Sequence, residues 1–181
     1  LLQQERERIE KIMKELGYYR FSKEYIFYDA KLIPSTYYIE LTMVIKDFVE
    51  GEMNQKTKIR PHIRYRINNI YVYPDFAPLT FSGQLQETPI NFDTTFYKNT
   101  FFIFSKNPKI NLNTLIYRNQ INRDNYYKLS DVEKTYRNYS SLGLFRLVNI
   151  NFKEDGPVPL RENEKYLDCT IELARKRVQS Y

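Results

Sequence analysis

The chain has 181 residues, 42% of them hydrophobic and 16% aromatic, which is ample for packed cores and argues against a disordered chain. It contains no apolar run of the roughly 18 residues that a membrane-spanning helix needs, and its single cysteine, Cys169, excludes an internal disulfide and a cysteine-based metal centre. The net charge of +6 is unevenly placed: Lys and Arg match Asp and Glu, 10 against 10, over residues 1–58, but outnumber them 18 to 12 over residues 59–181.

The first stretch, ERERIEKIMKELGYY, carries Ile9, Ile12, Met13 and Leu16 at one-stripe helical spacing, with charges covering the remaining face. Gly17 stands where the helix should stop, because glycine takes the left-handed conformation without a Cβ penalty. Two extended segments follow, at 25–30 and 36–46. In the second, Tyr37, Ile39, Leu41, Met43 and Ile45 alternate with more polar neighbours, the pattern of a strand with one apolar face. The chain has no initiator Met and opens inside a helical pattern, so it is expected to be a piece of a longer protein whose address is not visible.

Residues 49–61 read as a polar linker. A strand is expected at 63–73 and a short helix at 113–121. In between, residues 75–111 form a long connection that includes a candidate hairpin strand at 100–105. Ser130 and Glu133 fit a capping box opening a second long helix, with Val132, Tyr136, Tyr139 and Leu142 on its apolar face and Gly143 as its stop. A strand at 144–153, a turn-rich loop and a closing strand at 166–174 complete the chain; the closing strand puts Leu167, Cys169, Ile171 and Leu173 on one side.

The junction Leu-Gly-apolar-aromatic-Arg therefore occurs twice, as LGYYR from Leu16 and LGLFR from Leu142, each time between a helix and a pair of strands. The second copy is preceded by a strand and a helix that the first copy lacks, and the missing half is expected upstream of Leu1.

With INNIYVYPD as opening strand, YYKLSDVEKTYRNYSSLGLFRLVNINF as second helix and following strand, and LDCTIEL as closing strand, the order resembles the POTRA (polypeptide-transport-associated) domain of BamA- and TamA-type outer-membrane assembly proteins, in Bacteroidetes-like form. The resemblance implies an α+β fold of tandem β-α-α-β-β modules, each a small three-stranded mixed sheet covered by two helices on one face. Residues 1–48 would be the back part of one module, 49–61 a linker and 62–181 a complete module with its long connection at 75–111. It further implies a periplasmic segment that captures unfolded or nascent outer-membrane proteins by β-strand augmentation and positions them for a membrane β-barrel, with accessory periplasmic or lipoprotein subunits as further partners. The pairing edges implied are Leu147, Val148, Asn149, Ile150, Asn151 and Phe152, and in the partial copy Tyr25, Ile26, Phe27 and Tyr28.

Catalysis is not expected and no cofactor or metal is implied: one His, one Cys and five scattered Gly supply neither a triad, a metal cluster nor a phosphate loop. The competing reading is a basic, Tyr-rich nucleic-acid-binding module. Arg60, Arg64 and Arg66 interleave with Tyr65, Tyr71 and Tyr73. Arg175, Lys176 and Arg177 form a second basic cluster that fits lipid headgroups or a barrel rim equally well.

Overall fold

The computed structural model of the protein describes residues 1–34, 37–50, 58–76, 92–104, 110–157 and 163–176. In chain order these form α1 (Leu2–Glu15), a 3-10 turn (Lys23–Tyr25), β1 (Ile26–Leu32), β2 (Ile39–Ile45), β3 (Phe48–Glu50), β4 (Lys58–Arg60) and β5 (Arg64–Tyr73). They continue with β6 (Asp93–Tyr97), β7 (Thr100–Phe104), α2 (Leu112–Arg118), α3 (Leu129–Ser140), β8 (Phe145–Glu154) and β9 (Glu164–Arg175).

Residues from β5 onward build a mixed sheet of five strands in the order β6-β7-β5-β9-β8. A three-stranded mixed sheet is expected; here β9 lies between β5 and β8, parallel to the first and antiparallel to the second. The sheet is larger than expected because the long connection supplies a β6–β7 hairpin, whose second strand pairs in parallel with β5. The candidate strand at 100–105 is β7, apart from Ser105, which lies outside the described residues.

Alternation places Leu167, Cys169, Ile171 and Leu173 of β9 in the core, all fully buried. Burial pushes the Cys169 thiol far up from its ordinary value, so it packs as a small hydrophobe. In β5 the inward residues are Tyr65, Ile67, Ile70 and Val72, an alternation that skips once. The skip is a β-bulge: Ile67 pairs with Leu167 but Ile70 with Cys169, so one extra residue sits in β5. Asp168 holds the bulge, its Oδ1 accepting from Asn68 Nδ2 at 2.8 Å and from the Asn69 amide at 3.0 Å.

Leu115 of α2 and Tyr139 of α3 close over this core, and the Tyr139 hydroxyl donates to the Leu115 carbonyl at 2.9 Å. The other buried residue of α3 is Thr135, with its Oγ1 donating to the Asp131 carbonyl. Tyr136, expected on the apolar face, is 51% exposed. The α3 N-terminus also differs: Lys128 is the N-cap, and Ser130 lies inside the first turn, where no bond with Glu133 forms. Glu15 of α1 does the capping instead, accepting from the Ser130 amide at 2.6 Å and from Ser130 Oγ at 2.8 Å.

The first unit, α1 to β2, has almost no core. No residue of α1 is buried, and the β1–β2 hairpin buries only Ile26. The stretch expected as a linker begins and ends in a short ladder, since β3 pairs antiparallel with β4. Residues 51–57 between them lie outside the described residues.

Burial thus divides the chain's apolar side chains sharply. Leu173→Ala should cost about 2–5 kcal/mol, whereas Leu41→Ala, at a half-exposed position, should change stability by less than about 0.5 kcal/mol. Urea denaturation of both variants checks this, and equal losses would contradict the placement of the core.

Candidate functional site

The Leu-Gly junction of the first unit is its joint to the second. Helix α1 ends in a Schellman turn, in which the Tyr18 amide bonds the Met13 carbonyl at 3.1 Å, the Gly17 amide bonds that of Lys14, and Gly17 takes φ +101°. This turn leaves the Leu16 and Gly17 carbonyls pointing outward. Arg64 Nε donates to the first at 2.7 Å and the Tyr65 amide to the second at 2.8 Å.

Two residues on, the Tyr19 ring enters an aromatic pocket, 5.8 Å from Tyr65, 5.0 Å from Tyr127 and 5.6 Å from Phe152 between centroids. Next to it Arg20 pairs with Glu154 at 2.6 Å, and Glu154 also accepts from the Tyr65 hydroxyl at 2.7 Å and from Lys165 Nζ at 2.9 Å. His62 completes the seam. Its ring lies 4.9 Å from that of Phe21 and 4.7 Å from that of Tyr25, and Nε2–H donates to the Lys46 carbonyl at 2.9 Å.

Residues 147–152 all fall in β8, which forms one edge of the five-stranded sheet. Among the described residues its outer side pairs with no strand. Val148, Ile150 and Phe152 face the helix side, packed at the margin of the core, while Leu147 and Asn151 are exposed. Asn149 ties back to β9, its Nδ2 donating to Glu172 at 2.8 Å.

A groove of about 290 Å³ lies between the edge and α3, lined by Val132, Glu133, Tyr136, Arg137 and Ile150. A second, of about 510 Å³, opens at the seam between Lys14, Tyr19, Arg20, Phe48, Phe152 and Glu154. Strand periodicity had no means of revealing either groove. The exposed Tyr136 is the residue that a helical-wheel reading assigns to the core, and it lines the first.

In the first unit, Ile26, Phe27 and Tyr28 lie in β1, whose outer side is likewise unpaired among the described residues. Tyr25 belongs to the 3-10 turn instead, where it packs on His62 and Phe48.

Of the basic residues singled out, Arg60, Arg64, Arg66 and Arg175 are engaged within the protein. Arg64 and Arg66 stack on the Tyr126 ring, at 3.6 and 4.1 Å from its centroid. Arg66 also pairs with Glu164 at 3.0 Å, and Arg60 lies 5.1 Å from the Phe48 centroid. Tyr65 is buried, and Tyr71 stacks on Phe101. Arg175 Nε donates to the Pro74 carbonyl, Lys176 is exposed, and Arg177 lies outside the described residues. No open basic and aromatic stripe of the kind that tracks a nucleic-acid backbone is formed by these residues.

Burial raises the Glu154 carboxyl pKa, but hydrogen bonds from Lys165 and Tyr65 and the charge of Arg20 outweigh it and hold the group below the usual carboxylate range. A depressed acid contributes stability above its unfolded-state pKa, and that contribution is lost as pH falls through the lower folded-state value. Glu154→Gln should therefore unfold at lower urea than the parent at pH 7, with the gap closing below about pH 4. Chemical denaturation across pH checks this; a gap independent of pH would count against the Glu154 cluster as an ionic joint.

No family model and no curated protein matches the chain. Among solved structures it is similar to the crystal structure of Haemophilus influenzae BamA POTRA3-5, with 11% identity over 96% of this chain and 80% of that one. The TM-score is 0.30, a degree of likeness at which two folds are not shown to correspond.

Proposed function

We propose that the chain is a protein-binding segment of POTRA type that captures extended polypeptide by adding a strand to β8. The observation that carries this reading is the edge itself: β8 is an outer strand of the mixed sheet, with an apolar groove beside its helix-side face. Unpaired main-chain amides and carbonyls along such an edge bond an incoming strand with little demand on its sequence. Alternate side chains of that strand turn toward the helix face, where Val132, Tyr136 and Ile150 offer apolar contact.

The order strand, helix, helix, Leu-Gly, strand, strand, which runs from β5 to β9 with the β6–β7 hairpin interposed after the first strand, supports the same reading. In this proposal the segment works on the periplasmic side of an outer membrane and receives unfolded or nascent outer-membrane proteins. It hands them to a membrane β-barrel of the parent protein, with accessory subunits docking on the same scaffold. It acts by binding and positioning, without catalysis. The nucleic-acid reading loses support because Arg60, Arg64 and Arg66, the arginines interleaved with tyrosines, are held in internal contacts.

The test is a titration of the folded chain with an extended amphipathic peptide alternating apolar and polar residues, followed by backbone amide shifts. Saturable shifts concentrated between Phe145 and Asn151 are expected, and Tyr136→Glu should weaken them by placing a charge in the groove. A folded sample whose β8 amides stay unmoved would overturn strand addition at this edge.

A further inference from the structure

The β1–β2 hairpin carries an apolar face that the described residues leave largely bare. Its register sets Ile26 opposite Ile45, Tyr28 opposite Met43, Ala30 opposite Leu41 and Leu32 opposite Ile39, so these eight residues share one side, and none of them is charged. The charged side chains of the two strands, Asp29, Lys31 and Glu40, alternate on the other side, where Lys46 Nζ also covers the Phe27 ring at 3.8 Å from the centroid. An occupant therefore has one side to take and must itself be apolar.

Exposure climbs along this face away from the seam. Ile26, next to the turn that packs on His62, is buried; Ile45 and Met43 are 43% and 46% exposed, Leu41 and Ile39 reach 50% and 57%, and Leu32 reaches 73%. Helix α1 buries none of its own residues and leaves this outer half uncovered. Leu32, Ile39, Leu41, Met43 and Ile45 together leave about 500 Å² of accessible surface on one copy, so two such faces in contact bury about 1,000 Å², the size at which a specific interface begins. Tyr37 and Tyr38, exposed at the outer end of the hairpin, add to it. A contiguous apolar patch of this extent marks an interaction site.

Charge also favours a second copy of the chain as the occupant. The excess of +6 lies wholly in residues 59–181, whereas residues 1–58 balance at 10 and 10. Two copies that meet through their hairpins bring neutral portions together and keep the basic portions apart, so self-repulsion does not oppose the contact.

We propose that the outer half of the β1–β2 face is the interface of a homodimer, in which two hairpins pack face to face about a twofold axis with Leu41 and Met43 of each copy on those of the other. Such an interface is isologous: the same patch serves both copies, and assembly stops at two. The paired sheets lie about 10 Å apart, the spacing of stacked sheets, while Asp29, Lys31 and Glu40 stay in water. The edge of β8 and its groove take no part, so each copy keeps its own edge, and dimerisation and strand capture can fail separately.

The experiment is sedimentation of the chain from about 1 μM to about 1 mM, the range that covers moderate and weak complexes. The mass should rise from one copy to two and no further. The double variant Leu41→Glu, Met43→Glu should stay at one copy, while Tyr136→Glu, in the β8 groove, should dimerise as the parent does. Methyl spectra of the unaltered chain give a readout that does not depend on any variant folding. On dilution, the methyl signals of Ile39, Leu41, Met43 and Ile45 should shift, and those of the buried Leu167 and Ile171 should stay in place. A chain that remains a single copy at the highest concentration would overturn the proposal. So would a dimer that the double variant leaves intact, or one whose dilution shifts fall on β8, since the copies would then meet at that edge.

Discussion

The Leu16 and Gly17 carbonyls, turned outward by a left-handed glycine, tie the two halves of this protein together. Main-chain bonds of this kind have little freedom, because a carbonyl cannot be re-aimed without undoing the turn that holds it. Arg64 and the Tyr65 amide accept that fixed geometry. Once they do, Tyr19 is delivered to its aromatic pocket, Arg20 to Glu154 and Glu15 to the first turn of α3. A first unit with so few buried side chains keeps its position because the better-packed second unit receives its turn.

The recurrence of the junction is informative because the two copies have different surroundings. Gly143 also has positive φ, at +67°, but a side chain added there would meet open space, whereas one at Gly17 would touch Tyr126. The same local device ends a helix in both places, and in the first it also makes an interface. The five residues 21–25 between the first junction and its strand allow this. They carry Phe21 into a buried position and Tyr25 onto His62 before the strand begins.

Helix and strand periodicity made the secondary structure largely legible, because 3.6- and 2-residue repeats are local properties. The buried face of β9 could be read residue by residue. The bulge at Asn68 and Asn69 could not, since its stability comes from Asp168 on a strand about a hundred residues away in sequence. The Ser130 cap failed for a related reason: Glu15 looks like one more solvated charge on α1, and nothing local reveals that it reaches α3. The arginines misled in the same way. Their spacing among tyrosines is that of a binding stripe, but strand pairing brings Tyr126 and Glu164 against them. The position of β8 followed from element order, while the grooves beside it depend on how α3 and the first unit pack.

The seam also closes one end of the β8 edge. Tyr19 rests on Phe152 and Arg20 on Glu154, so the last turn of the pleat is already covered by the first unit. A visiting strand that pairs along β8 therefore meets the first unit at the Phe152 end of the edge, and a segment that runs on in that direction has to bend away from the sheet before it reaches Tyr19.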